Sequence, residues 1–89
     1  MPDTWRVIVL RDPEKVLARL PKDLRHRLRV DIDQLAHNPR PHGCKKLVGY
    51  RDLYRVRVGD WRVTYAIKDA ELIVLVVEVA PRGGAYRNP

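Results

Sequence analysis

The stretch LYRVRVGDWRVTY, residues 53–65, carries three arginines at spacings that could bind a polyanion. Arg55 and Arg57 are separated by one apolar residue, and Arg62 follows the Gly-Asp pair. A guanidinium group stays charged at any physiological pH, and its forked N–H donors match the geometry of phosphate oxygens. Three such groups on one patch would neutralise the charge of a phosphate backbone. We therefore interpret the stretch as a candidate site for a phosphate-bearing polymer.

The same stretch alternates apolar and non-apolar residues with the period of a half-buried β-strand. Gly59 and Asp60 separate two alternating runs, and a two-residue loop that begins with glycine is typical of a tight β-hairpin. In this register Arg57 lies opposite Arg62, and like charges directly across a strand pair cost stability. The other face collects the apolar pairs Val58 with Trp61, Val56 with Val63 and Tyr54 with Tyr65.

The arginines therefore need an explanation beyond folding, and we expect no carboxylate to face them, so that a phosphate is their counter-charge. The structural alternative is that the charges protect a sheet edge from pairing with another chain.

The charge of the whole chain supports an anionic partner. Eighteen Lys and Arg residues outnumber eleven Asp and Glu residues, which gives a formal net charge of +7. Between residues 40 and 68 there are eight basic residues and only two acidic ones, so most of the excess lies in one third of the chain. A basic patch of this kind favours a nucleic acid or an acidic protein as partner.

The residue types give little support for a disulfide, a metal site or a membrane span. The single cysteine excludes an internal disulfide and a cysteine-rich metal cluster, and the three histidines lack the spacing of metal ligands. We therefore expect no metal and no cofactor. No apolar run approaches the roughly 20 residues of a membrane span, and the N-terminus lacks the layout of a signal peptide. We expect a cytoplasmic protein with no membrane partner.

The elements that must position the arginines follow from pattern and length. With 89 residues, the chain is expected to form a single domain over residues 1–89. We predict a strand over 5–10, a helix that begins with Asp12 as its cap, a second helix ending near Ala36, and a connection over 37–51. Strands are predicted over 52–58, 61–67 and 72–79, the last one central and covered on both faces. The order β-α-α-β-β-β predicts an α+β sandwich, a mainly antiparallel twisted sheet with a helical hairpin on one face.

The runs KKLVGYRDLYRVRVGDWRVTYAI and VVEVAPRGGAY resemble the RelE/ParE superfamily of bacterial and archaeal toxins. The resemblance covers roughly residues 40–87, and the preceding β-α-α order agrees with the fold of that superfamily. In its RelE branch, the toxins are ribosome-dependent endoribonucleases that cut mRNA in the decoding site without a metal. The resemblance implies an active-site set of Arg55, Arg57, Arg62, Arg82 and Tyr86.

Roles follow from the same resemblance. Attack by the RNA 2′-hydroxyl needs a base, neutralisation of the phosphate and a proton for the leaving oxygen. Arg62, with Arg55 or Arg57, would hold the scissile phosphate. Arg82 would stabilise or protonate the leaving 5′-oxygen, and Tyr86 would stack on or orient the nucleotide. We predict that further basic residues contact the RNA, namely Lys45, Lys46, Arg51 and Arg87.

One departure from the RelE pattern concerns the base. The best-known pattern has lysines on the first strand of the hairpin, where this chain has Arg55 and Arg57. Arginine is a poor general base because its pKa exceeds about 12. The remaining candidates are Tyr86 and a group supplied by the ribosome.

Two alternatives remain open. One is a ParE-like inhibitor of DNA gyrase that does not cut RNA, and the other is an inactive module that only binds an antitoxin. For the leading hypothesis we expect the partners to be the ribosome, mRNA and an acidic RelB-like antitoxin whose helical segment wraps the toxin.

Overall fold

Two helices follow the first strand, and four further strands complete a sheet. The structure is a computed structural model, and it describes residues 4–81. The elements are β1 (Arg6–Val9), α1 (Arg11–Ala18), α2 (Lys22–Gln34), β2 (Lys45–Lys46), β3 (Leu53–Val58), β4 (Trp61–Lys68) and β5 (Ile73–Pro81). A short 3₁₀ turn, Asp69–Glu71, joins β4 to β5.

The strands form one five-stranded sheet in the order β1-β5-β4-β3-β2. β1 pairs with β5 in parallel, and the other three pairings are antiparallel. The predicted α+β class and mainly antiparallel sheet are confirmed. The order differs from β-α-α-β-β-β in one element, because β2 lies inside the connection that we predicted as a loop. Two residues are too short to show strand periodicity, and the surrounding prolines and glycines resemble a loop.

The β3–β4 hairpin has the predicted register. Arg57 pairs with Arg62, Arg55 with Thr64 and Val58 with Trp61. Gly59 takes a φ of 61°, which the first position of this tight turn requires and which glycine adopts without strain. The pairing of the strands therefore places the three arginines on the same face of the sheet, as predicted.

The core lies between the helices and one face of the sheet. Leu17 from α1 and Leu28 and Ile32 from α2 are fully buried or nearly so, and they belong to one cluster with side chains from three strands, namely Val58, Val63, Tyr65, Ile67, Val74, Val76 and Val79. Burial alternates along β5, where Val74 and Val76 are buried and Leu75 is only half-buried. The prediction that β5 is central is correct, but the prediction that both of its faces are covered is wrong.

The start of α1 also differs from the prediction. Leu10 is the N-cap residue, with φ −70° and ψ 169°, and it provides no side-chain cap. Asp12 lies inside the first turn, where a carboxylate still interacts favourably with the positive end of the helix dipole. Within residues 4–81, no helix is both long enough and apolar enough to cross a membrane.

Candidate functional site

The three arginines of the hairpin line one cleft on the sheet face that the helices leave uncovered. The cleft has a volume of about 470 Å³ and is lined by His42, Gly43, Lys45, Leu47, Arg55, Val56, Arg57 and Arg62. We call it the arginine cleft. Arg57 is exposed, and Arg55 and Arg62 are half-buried. Four cationic side chains, those of the three arginines and of Lys45, therefore meet at one surface.

Strand pairing explains why these four side chains meet. Lys45 of β2 lies opposite Arg55 of β3, and Arg57 lies opposite Arg62 of β4. Directly paired residues project from the same face of a sheet, with Cβ atoms about 4.5–5.5 Å apart. Because strand pairing fixes these positions, the charges come together without a rearrangement of the backbone.

A carboxylate faces the arginines, contrary to our expectation. The Oε1 atom of Glu78 in β5 lies 3.5 Å from Nε of Arg62. The hydroxyl of Thr64 donates a hydrogen bond to the same oxygen at 2.9 Å. Arg55 Nε in turn donates to Thr64 Oγ1 at 3.4 Å. Glu78 therefore connects two of the arginines, directly or through Thr64, and supplies part of their counter-charge.

A β-bulge places Glu78 on this face. The pairing of β4 with β5 shifts by one residue between Thr64 and Tyr65, so that Thr64 lies opposite Glu78 but Tyr65 lies opposite Val76. Strict alternation from the buried Val74 and Val76 would direct position 78 toward the core. The extra residue in β5 reverses this alternation, so that Val79 is buried and Glu78 joins the arginine face. No pattern in the sequence predicts the bulge. A charged residue among the valines of β5 indicates only that position 78 does not face the core.

The ion pair between Arg62 and Glu78 does not satisfy the guanidinium. Nε of Arg62 is buried and, among the described residues, makes no hydrogen bond, because its contact with Glu78 lacks good hydrogen-bond geometry. The side chain of Arg62 remains 28% exposed. Its positive charge is thus partly compensated and still accessible from the cleft.

The predicted RNA-binding residues are divided between two surfaces. Lys45 lines the arginine cleft. Lys46 lies opposite Tyr54 on the other side of the sheet, and its ammonium group donates to the carbonyl oxygens of Tyr50 and Arg51 at 3.0 and 2.6 Å. The Arg51 side chain is exposed but does not line the cleft.

Three further predicted residues, Arg82, Tyr86 and Arg87, lie outside the described residues. Their predicted roles therefore stay predictions.

His42 is a cleft residue that sequence reasoning did not single out. It lies in a hydrogen-bonded turn, in which the Cys44 N–H donates to the Pro41 carbonyl at 3.0 Å. Gly43 has a φ of 91°, as the third position of a type II turn requires. The Pro-His-Gly order was a usable signal for this turn, but its position beside the arginines depends on the pairing of β2 with β3.

The segment that carries His42 is held on both sides. The buried hydroxyl of Tyr65 donates to the Pro39 carbonyl at 2.8 Å, and burial raises the pKa of Tyr65 above its usual value. Arg40 forms an ion pair with Asp69 at 3.0 Å, and this hydrogen-bonded carboxylate raises the pKa of Arg40. The guanidinium of Arg40 also lies 5.2 Å from the centre of the Tyr54 ring. The connection is thus attached to the core and to the β4–β5 turn.

Metal-ligating side chains do not cluster in the part of the chain that the structure describes. No group of three His, Cys, Asp or Glu residues within residues 4–81 could hold a metal ion.

Comparison with known proteins supports a toxin fold. The chain is 35% identical over 78 residues to RelE1 of Methanocaldococcus jannaschii, and this match covers 84% of the chain and 87% of RelE1. The toxin fold of the archaeal RelE–RelB complex from Pyrococcus horikoshii superimposes with a TM-score of 0.81 at 34% identity, covering 90% of this chain and 97% of that chain. Isolated E. coli RelE gives a TM-score of 0.76 at 21% identity, covering 89% and 85% of the two chains, and this likeness concerns the fold alone.

A sequence model of the family described as "ParE toxin of type II toxin-antitoxin system, parDE" matches residues 4–86, which is nearly the whole chain. The structural likeness to RelE toxins and the match to ParE agree at the level of the superfamily that both names share. The chain therefore belongs to the ParE toxin family of type II toxin–antitoxin systems, within the RelE/ParE superfamily.

Proposed function

We propose that this toxin is a ribosome-dependent endoribonuclease that cleaves mRNA in the decoding site and so inhibits translation in the cytoplasm. The observation that supports the proposal is the meeting of Arg55, Arg57, Arg62 and Lys45 in one cleft. Cations fixed by strand pairing and aimed at one volume suit the transition state of phosphodiester cleavage, which accumulates negative charge on phosphate oxygens. The resemblance to the RelE branch supports the same activity.

The reaction would be an attack by the RNA 2′-hydroxyl oxygen on the adjacent phosphorus. A new O2′–P bond forms, the P–O5′ bond breaks, and the products are a 2′,3′-cyclic phosphate and a free 5′-hydroxyl. Arg62, supported by Arg55 or Arg57, binds the non-bridging oxygens of the phosphate. Arg82 stabilises the leaving oxygen, and Tyr86 stacks on the nucleotide.

The ribosome has a defined part in this proposal. Several exposed side chains line the arginine cleft, and we infer that it does not by itself impose one conformation on a single strand. Holding the RNA with its 2′-oxygen in line with the leaving oxygen accounts for much of the rate enhancement in such reactions. The decoding site would supply this alignment, and the toxin would supply the charges.

We further propose that a RelB-like antitoxin with an acidic helical segment neutralises the toxin. RelE was crystallised with RelB in the archaeal complex and in the E. coli complex. The net charge of +7 favours an acidic partner. If the arginine cleft is part of that interface, the affinity falls as salt rises, because exposed charges are screened.

The test of the ribonuclease is primer extension on a defined mRNA bound to programmed ribosomes. We expect cuts within the codon in the decoding site, and 5′-hydroxyl ends downstream of each cut. Arg57→Ala, which removes an exposed cation, and Arg62→Ala are each expected to lower the single-turnover rate by roughly 100-fold, the usual effect of losing one transition-state donor. Arg19→Ala is the matched control, because Arg19 is an exposed arginine that follows α1 and does not line the cleft.

Intact mRNA with the wild-type toxin would contradict the proposal. Equal losses of cleavage rate for the cleft variants and for Arg19→Ala would also contradict it, because the rate would then depend on the total positive charge and not on the cleft.

The second candidate function is inhibition of DNA gyrase, and the match to the ParE family favours it. A supercoiling assay with purified gyrase and relaxed plasmid separates the two candidates. Blocked supercoiling together with uncut mRNA would establish the gyrase inhibitor. A toxin inactive in both assays that still binds a RelB-like peptide would be an antitoxin-binding module.

A further inference from the structure

Among the described residues that line the arginine cleft, His42 is the one whose side-chain type exchanges protons near neutral pH. The other lining residues are cationic, apolar or glycine. Arginine and lysine retain their protons at neutral pH unless their environment is strongly altered, whereas an ordinary imidazole has a pKa near 6.5. The cleft thus combines phosphate-binding cations with one group of a kind that can accept a proton.

The turn at residues 41–44 holds this imidazole beside the cations. The hydrogen bond from Cys44 N–H to the Pro41 carbonyl closes the turn, and the bond between Tyr65 and the Pro39 carbonyl fixes the preceding segment to the core. The side chain itself is exposed. An exposed imidazole on a fixed turn is accessible to a bound RNA strand and has its backbone position determined by the fold.

Glu78 is less suited to accept the proton. Its Oε1 atom accepts the hydrogen bond from Thr64 and faces Arg62 at 3.5 Å. These contacts occupy one of its two carboxylate oxygens and hold the group toward Thr64 and Arg62. Glu78 also does not line the cleft.

We infer that His42 is the general base of this toxin. The inference rests on the proposed ribonuclease activity. Neutral His42 accepts the proton of the RNA 2′-hydroxyl as the O2′–P bond forms. The P–O5′ bond breaks, the 5′-oxygen takes a proton from water, and His42 later releases its own proton to water. In the RelE pattern, a lysine on the first strand of the hairpin could accept this proton. This chain has arginine at positions 55 and 57, and His42 would take over that role.

Charged side chains from four elements line the two clefts that His42 borders. Lys45 projects from β2, and the three hairpin arginines project from β3 and β4. Asp31 of α2 lines a neighbouring cleft that His42 also borders. A general base acts in its unprotonated form, so cleavage by the wild-type toxin should rise with pH and then level off.

The test compares single-turnover cleavage of ribosome-bound mRNA by the wild-type toxin and by His42→Gln, between pH 5.5 and 9. We expect His42→Gln to cleave roughly 100-fold more slowly, a typical effect for a lost general base, and to lose the rising limb of the pH profile. Binding to the ribosome should be unchanged. His37→Gln and His26→Gln are matched controls, because both residues are exposed histidines that do not line the cleft.

A second variant separates chemistry from structure. His42→Ala leaves space for a small molecule, and added imidazole is expected to raise the cleavage rate of this variant at least tenfold. A purely structural role would not respond to imidazole. The inference is overturned if His42→Gln cleaves within about threefold of the wild type with the same pH profile. Such a result would contradict the assignment of His42 but not the proposed ribonuclease activity. If the wild-type toxin does not cleave mRNA, both the proposed function and the assignment of His42 are contradicted.

Discussion

At the scale of single residues, the arginine cleft is less purely positive than its sequence suggested. Glu78 compensates part of the charge of Arg62 and, through Thr64, contacts Arg55 indirectly. Like charges on adjacent strands repel each other, and a shared carboxylate lowers that cost. The same carboxylate repels an incoming phosphate. If the cleft binds RNA as proposed, its charges balance the stability of the sheet against affinity for the polyanion.

We predict that Glu78→Gln tightens binding of a short single-stranded RNA. The amide keeps the size of the side chain and an oxygen that can accept from Thr64, and it removes the negative charge. Affinity should rise by roughly two- to fivefold at low salt, as expected for one partly exposed charge. Fluorescence anisotropy at two salt concentrations measures the change.

The control for this variant is Glu71→Gln, which makes the same charge change at an exposed position in the 3₁₀ turn. An equal gain for both variants would assign the effect to net charge. Weaker binding by Glu78→Gln would show that the carboxylate is needed to orient Arg62.

At the scale of elements, the junction between the 3₁₀ turn and β5 is strained. Leu72 has a φ of 55°, the only positive φ of a non-glycine residue among the described residues. A left-handed conformation costs a residue with a branched side chain about 1–2 kcal/mol, and asparagine tolerates it better. The backbone carbonyl of Leu72 accepts from the Arg6 N–H at 2.9 Å, so the turn also fixes the start of β1. The strain is retained because the pairing of β1 with β5 begins there.

We predict that Leu72→Asn stabilises the fold. The side chain is 52% exposed, so its replacement loses little buried area. The free energy of unfolding should rise by about 1 kcal/mol, and for a chain of this size the melting temperature should rise by about 4–8 °C. Thermal unfolding followed by circular dichroism measures both.

Val48→Asn serves as the control, because Val48 is 96% exposed and has no positive φ. Its effect should stay within about 0.5 kcal/mol. A lower melting temperature for Leu72→Asn would mean that the apolar contacts of Leu72 outweigh its backbone strain.

At the scale of the whole molecule, one buried tyrosine joins the sheet to the long connection. Tyr65 is fully buried in the core, and its hydroxyl donates a hydrogen bond to the Pro39 carbonyl at 2.8 Å. The connection carries His42 and Lys45 to the cleft. The geometry of the site thus depends on a hydrogen bond on the opposite side of the sheet.

We predict that Tyr65→Phe lowers the free energy of unfolding by about 1–3 kcal/mol at pH 7, because the Pro39 carbonyl loses its partner. Burial raises the pKa of Tyr65, so the folded chain keeps the phenolic proton at a pH where the unfolded chain, with an ordinary pKa near 10, loses it. This contribution is complete below about pH 10 and is lost as the pH rises further. The difference between the wild type and Tyr65→Phe should therefore narrow above pH 10 in urea unfolding.

Tyr50→Phe is the matched control, since Tyr50 is 59% exposed. It should unfold like the wild type at every pH. A constant difference between the wild type and Tyr65→Phe across this range would contradict the burial of an uncharged phenol.

Much of the fold could be predicted from the sequence because its signals are local. Alternation identified β3 and β4, and the Gly-Asp turn fixed their register, which placed Arg55, Arg57 and Arg62 on one face. The apolar spacing of Leu28 and Ile32 identified the buried face of α2.

The parts of the site that could not be predicted depend on pairing between distant segments. β2 is two residues long and becomes recognisable only through its partner β3, and this pairing brings His42 to the cleft. Glu78 reaches the arginine face through an irregularity that no alternation rule anticipates. Both concern polar side chains at or beside the arginine cleft, whereas the shared face of the three hairpin arginines was predicted correctly.

The bulge in β5 also has an evolutionary consequence. Because one extra residue decides which side of the sheet the end of β5 presents, pairing without the bulge would exchange Glu78 and Val79 between the arginine face and the core. Loss of Val77 would instead remove the bulge and leave both residues on their present faces. Point substitutions at position 78 would tune the charge of the cleft gradually. Loss of Val77 would therefore be tolerated by the faces of the strand, whereas a polar residue at position 79 would not be, because Val79 lies in the core.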